Sequence, residues 1–155
     1  MERGNLHETA AVDATGQDSA PPAPAATGPA PAPVTLFICT SCRDAAADAD
    51  LAADGTALAA AAAAATGGDA APGVSVRGVR CLANCKRGLS VAMVRADGWT
   101  YVFGDLSAAD APALLEGARL LSEAPDGLMP WRGRPDPLKR GMIVRIPPLS
   151  LSEDT

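Results

Sequence analysis

A chain of 155 residues has room for one domain with tails, and 48% of it is hydrophobic. Much of that share is alanine and aromatics supply only 3%, so the core must be modest, built from Val, Leu and Ile among small residues. A net charge of −5 argues against general nucleic-acid binding, which needs a basic face, and no apolar run approaches the ~20 residues of a membrane span.

Residues 1–33 read as a disordered Ala/Pro-rich extension. Pro21-Pro22-Ala23-Pro24 and Pro29-Ala30-Pro31-Ala32-Pro33 suit neither helix interiors nor sheet ladders. No bulky apolar cluster offsets the entropy of ordering them. Glu2, Glu8, Asp13 and Asp18, with no apolar h-region, do not make a signal peptide. The expected compartment is therefore the cytoplasm, where thiols stay reduced. His7, the only histidine, is a solvated residue of this tail.

Val34 to Ile38 is an unbroken apolar run, the pattern of a strand covered on both faces, and it ends at Cys39-Thr40-Ser41-Cys42. An acidic loop follows with Asp44, Asp48 and Asp50, which lack calcium-loop spacing and read as solvated. From about Asp54 to Ala65 the alanine-rich sequence favours helix, and Thr66-Gly67-Gly68 stops it. Val74 to Val79 is a second strand, closely followed by Cys81-Leu82-Ala83-Asn84-Cys85. Strand, helix and strand make a βαβ unit with a right-handed crossover.

Leu89 to Val94 and Trp99 to Phe103 are a third and fourth strand around the turn Ala96-Asp97-Gly98. A last helix opens at Ser107, shows Leu114, Leu115, Ala118 and Leu121 at helical spacing, and ends near Asp126-Gly127. The order βαββα, over residues 34–127, is the thioredoxin-like α/β arrangement. Residues 128–155 are rich in proline and carry Arg132, Arg134, Lys139, Arg140 and Arg145. They read as a basic docking surface or as a loosely packed extension anchored by Trp131 and Met142-Ile143-Val144.

Cys39, Cys42, Cys81 and Cys85 are all the cysteines of the chain. Two parallel strands lie about 4.8 Å apart, so their C-terminal ends would bring both pairs to one place. Four thiolates in a reducing compartment point to a metal, as tetrahedral zinc or as a [2Fe–2S] cluster in which each iron takes one pair. A dithiol of the thioredoxin type at Cys39 and Cys42 would leave the second pair unexplained, and no Trp-Cys-Gly-Pro-like sequence is present. Buried packing cysteines would rarely fall as two tight pairs after two strands. With the lone histidine in the tail, no Ser/His/Asp or Cys/His catalytic set is available, so an enzyme is not expected.

Phe37-Ile38-Cys39-Thr40-Ser41-Cys42, Val79-Arg80-Cys81-Leu82-Ala83-Asn84-Cys85-Lys86-Arg87-Gly88 and Tyr101-Val102-Phe103-Gly104-Asp105-Leu106 resemble the thioredoxin-like [2Fe–2S] ferredoxins. More narrowly they are similar to a bacterial family of predicted metal-binding proteins, some encoded near cobalamin-synthesis genes. The resemblance covers roughly residues 34–148. Its C-x3-C half matches the ferredoxin pattern, whereas those ferredoxins separate their first two cysteines by more than C-x2-C. It implies a metal-binding module carrying electrons one at a time, with the four cysteines as ligands. Lys86 and Arg87, beside the last cysteine, are the expected docking point for an acidic redox partner. The alternative is a zinc-binding structural or metal-handling module without redox activity.

Overall fold

The computed structural model describes residues 30–43, 54–67 and 72–150. Most of the expected N-terminal extension, with His7, and the loop bearing Asp44, Asp48 and Asp50 lie outside the described residues. The elements run β1 (Val34–Cys39), α1 (Asp54–Ala65), β2 (Val74–Val79), β3 (Val91–Arg95), β4 (Thr100–Phe103), a 3-10 turn (Ala108–Asp110), α2 (Ala111–Glu123), α3 (Asp136–Arg140) and β5 (Met142–Ile146). The strands form one sheet in the order β2-β1-β3-β4-β5. β1 is parallel to β2, and the other neighbours are antiparallel. This is the expected thioredoxin-like α/β sheet with a fifth strand added beyond β4.

The strand period of two sorts the side chains. Val34, Leu36 and Ile38 of β1, Val91 and Met93 of β3, and Tyr101 and Phe103 of β4 are fully buried on one face. The Tyr101 and Phe103 rings lie parallel there, with centroids 6.1 Å apart. α1 covers this face with Leu58 and Ala62, and α2 with Leu114, Ala118 and Leu121. The two helices also pack on each other, so both sit on the same side. The expectation that β1 is covered on both faces is therefore corrected: Thr35 and Phe37, pointing the other way, are only half-buried.

Arg95, at the end of β3, ties the sheet to the end of α2. Its Nη1 donates to the carbonyls of Leu121 (2.9 Å) and Ala124 (2.5 Å), while Nε and Nη2 donate to the Asp97 carboxylate at 2.7 and 3.1 Å. A cation at a helix C-terminus satisfies orphan carbonyls and meets the negative end of the helix dipole. The N-terminal end is fixed by Asp110, whose carboxylate accepts from the Ser107 amide at 2.7 Å.

The segment after α2 is part of the fold. The Tyr101 hydroxyl accepts from the Met129 amide at 2.9 Å, Met129 and Leu138 are buried, and β5 pairs with β4. The reading of a loosely packed extension anchored by Trp131 and Met142-Ile143-Val144 is thus corrected in part: Met142-Ile143-Val144 does anchor it, as the start of β5, together with buried Leu138, whereas Trp131 is 61% exposed. A five-residue outer strand bounded by Arg140 and Pro147-Pro148 gives too short an apolar run to stand out in the sequence. Among the described residues no helix is long and apolar enough to cross a membrane.

Replacing Arg95 by Ala should lower unfolding free energy by about 2–3 kcal/mol, because it removes charge-assisted hydrogen bonds to the Leu121 and Ala124 carbonyls together with the buried stem that fills the space beneath them. Hydrogen bonding to Arg95 holds the Asp97 carboxyl below its ordinary pKa. That contribution is present above the ordinary aspartate range and is lost as pH falls through the lowered value. Urea denaturation across acid pH should show Asp97→Asn with a flatter acid limb than the parent protein.

Candidate metal centre

The parallel pairing of β1 and β2 sets Cys39 opposite Val79 and continues past both strands. The Thr40 amide donates to the Val79 carbonyl at 2.8 Å and the Ser41 amide to the Arg80 carbonyl at 3.3 Å. The Ser41 hydroxyl also donates to the Arg80 carbonyl. The loop carrying Cys39 and Cys42 is thereby stitched to the strand end leading into Cys81.

Cys39 and Cys42 are 1% and 3% exposed, and each bears on the other's ionisation. Burial pushes the Cys39 thiol up, but hydrogen bonds from Cys42, the Leu82 amide and Ser41 outweigh it and bring it below the ordinary thiol value. For Cys42, burial and then the neighbouring Cys39 raise the pKa, partly offset by the Ser90 amide and hydroxyl. Such a pair holds one thiolate more readily than two.

Cys81 and Cys85 lie exposed on the adjoining loop. Cys81 sits between two residues that touch Cys39: the Cys39 thiol faces the Arg80 carbonyl at 3.7 Å, and the Leu82 amide donates to its sulfur. Ala83, in the left-handed region at φ 57°, turns its amide onto the Cys81 sulfur at 3.2 Å. Cys85 lines a shallow pocket with Ala83, Asn84 and Lys86. The structure thus buries Cys39 and Cys42 as interacting neighbours and places the other two on the adjoining loop at the same end of the sheet. The expected four-way gathering is not closed: among the described residues no three His, Cys, Asp or Glu side chains are grouped as a metal site.

Two residues that sequence reasoning passed over hold the loops together. The Asn84 amide nitrogen donates to the Ser90 hydroxyl at 2.8 Å and to the Arg87 carbonyl at 3.2 Å. Ser90, fully buried, accepts the Cys39 amide on its carbonyl at 3.0 Å and hydrogen-bonds to Cys42. A serine inside the apolar run Leu89-Ser90-Val91 was the available signal. Gly55 is another such position: a Cβ there would stand 2.0 Å from the Cys39 carbonyl oxygen, so α1 can start against the cysteine loop only with glycine. Gly88 does the same for the second loop, where a Cβ would lie 2.3 Å from the Arg43 carbonyl oxygen.

The fold and this end of the sheet define a thioredoxin-like α/β protein with paired thiols on two adjacent loops. A family model described as "Protein of unknown function (DUF1636)" matches residues 36–148, and the chain belongs to that family. No curated protein and no solved structure matches the chain.

An exposed glycine changed to alanine inside a helix stabilises by up to about 1 kcal/mol. Gly55→Ala should do the reverse, lowering the melting temperature, because its Cβ meets backbone at Cys39. Ser90→Ala should cost about 1–2 kcal/mol and quicken labelling of Cys42 by a thiol reagent, measured on the metal-free chain.

Proposed function

We propose that the chain is a thiolate metal-binding protein that holds a [2Fe–2S] cluster and passes single electrons in the cytoplasm. The observation that carries this is the stitching of the Cys39–Cys42 loop to the Cys81–Cys85 loop by backbone hydrogen bonds beyond β1 and β2. The donor set fits the group in chemistry. It comprises four free thiols in two short-spaced pairs, with amides of Leu82, Ala83 and Ser90 aimed at sulfur. Cys39 and Cys42 would hold one iron and Cys81 and Cys85 the other. When bound, the cluster supplies the one-electron chemistry.

The chain's own part is to bury the first pair, direct N–H groups to sulfur and leave the second pair facing outward. Amides donating to sulfur stabilise the more negative state, and exposure of Cys81 and Cys85 puts that side toward a partner. The docking point proposed at Lys86 and Arg87 narrows, because Arg87 is paired with Asp105 at 2.7 Å. Lys86 follows Cys85 directly and Arg80 precedes Cys81, both exposed, so these two cations flank the outward pair.

Zinc remains the second reading, because the contact between Cys39 and Cys42 suits a C-x2-C zinc half-site equally well. Protein purified without oxygen should contain about two irons and two acid-labile sulfides per chain, with visible absorbance and an EPR signal on reduction. About one zinc, no sulfide and no colour would overturn the cluster and leave the zinc reading. Each single Cys→Ala change should remove or destabilise the bound group. Lys86→Glu should slow electron transfer to an acidic acceptor, most at low salt.

A further inference from the structure

We propose that the outer edge of β5 is a docking strip for an extended segment of another protein in which acidic and apolar residues alternate. β5 ends the sheet and is hydrogen-bonded to β4 on one side. Its other edge presents backbone donors and acceptors, which a strand can extend by pairing. Four large hydrophobic residues are exposed among the described residues, Trp131, Val144, Ile146 and Leu149, and all lie on or beside this strand. The stretch 128–150 also carries Arg132, Arg134, Lys139, Arg140 and Arg145 against one acid, Asp136, in a chain whose net charge is −5.

The register sorts these groups by face. Val144 lies opposite Val102 and Ile146 opposite Thr100, on the side away from the helices, and they are 44% and 49% exposed. Arg145 lies opposite Tyr101, on the helix side, with its guanidinium 5.0 Å from the Trp99 ring centre. On that same side Arg134 is sandwiched between Tyr101 (5.4 Å) and Trp131 (5.3 Å), and the Lys139 ammonium lies 5.9 Å from the Trp131 ring. A strand laid along β5 would therefore meet the exposed Arg145 guanidinium on one face, with Arg134 buried behind it, and the aliphatic Val144 and Ile146 on the other. Cross-strand pairs favour opposite charge with charge and apolar with apolar, which specifies an alternating acidic and apolar partner. Trp131, held by two cations, is ordered before binding, which lowers the entropy cost of its contact. Pro147-Pro148 and the five-residue length confine the pairing to a short segment.

The strip does not depend on a metal at the cysteines, and the test separates the two. A short fluorescent peptide alternating glutamate and valine is titrated onto the full chain. A lysine–valine peptide, and one with its glutamates and valines in separate blocks, are run beside it. The alternating acidic peptide should bind about tenfold more tightly than either, and the advantage should shrink as salt rises. Backbone amides of Met142–Ile146 should gain protection from hydrogen exchange when it is bound. Arg145→Glu should reverse the preference toward the lysine–valine peptide, and the reversal itself shows that the variant is folded at this edge. Equal binding of the three peptides, or protection elsewhere than β5, would overturn the proposal. A dimer that Arg145→Glu dissociates would also overturn it, by assigning the edge to a second copy of this chain.

Discussion

The parallel pairing of β1 with β2 is the constraint on which the rest depends. Parallel neighbours cannot be joined by a tight turn, so the chain must leave the sheet, run back as α1 and re-enter. That detour separates Cys42 and Cys81 widely in sequence while the register returns their loops to the same sheet end. It also imposes a packing condition, because α1 starts directly beneath the first loop. The Gly55 amide donates to the Cys42 carbonyl at 3.1 Å, and the Thr56 hydroxyl to the Thr40 carbonyl at 3.3 Å. Only a residue without Cβ allows that approach, so one glycine in the helix serves the geometry of the cysteine loop.

The two cysteine pairs are not equivalent, and the asymmetry has a physical origin. The first pair closes a strand in the middle of the sheet, flanked by β2 and β3, and is buried by the Ser90 turn. The second follows β2, the edge strand, with no strand on its far side among the described residues, and its cysteines are exposed. A thiolate buried beside another thiol is costly unless hydrogen bonds or a cation offset it. Here the offsets are Ser41 and the Leu82 amide of the second loop for Cys39, and the amide and hydroxyl of Ser90 for Cys42, so the stability of the first pair depends in part on the conformation of the second loop. Asn84 and Ser90 join the two loops into one unit, which fixes the relative positions of the two cysteine pairs.

Much of this was legible in the sequence where the local pattern and the fold agree. The apolar run at Val34, the alanine helix ended by Thr66 and Gly67, the Asp97-Gly98 turn and the Ser107–Asp110 cap each carry their own chemistry, and each forms near its expected place. β1 was misread as covered on both faces because an unbroken apolar run looks the same in a sheet with one open face. β5 was missed as a strand because an outer strand needs little hydrophobicity, and Arg145 interrupts the run. Spacing brought the cysteine loops to one end of the sheet but could not show that one pair is buried and the other exposed. That difference follows from strand order, which no local pattern encodes. The ion pair of Arg87 with Asp105 was hidden for the same reason, since β3 and β4 intervene.

The C-terminal segment shows how a buried cation can organise an edge. Arg134 is almost wholly buried, and among the described residues its Nε has no hydrogen-bond partner. Its Nη2 donates to the Met129 carbonyl at 2.6 Å, and Nη1 faces the Met142 sulfur at 3.5 Å. Burial draws its pKa down, Tyr101 opposes that, and the neighbouring charge of Arg145 adds to it. No carboxylate among its described partners balances the charge, so the aromatic faces of Tyr101 and Trp131 and one carbonyl must carry it. A leucine would fill that space at less cost in desolvation. The guanidinium instead joins three elements at fixed angles: the turn at Met129, the core ring of β4 and the first residue of β5. Direction is what an aliphatic side chain could not supply. The outer strand is thereby set in register against β4, with Arg145 on the helix side and Val144 and Ile146 on the other.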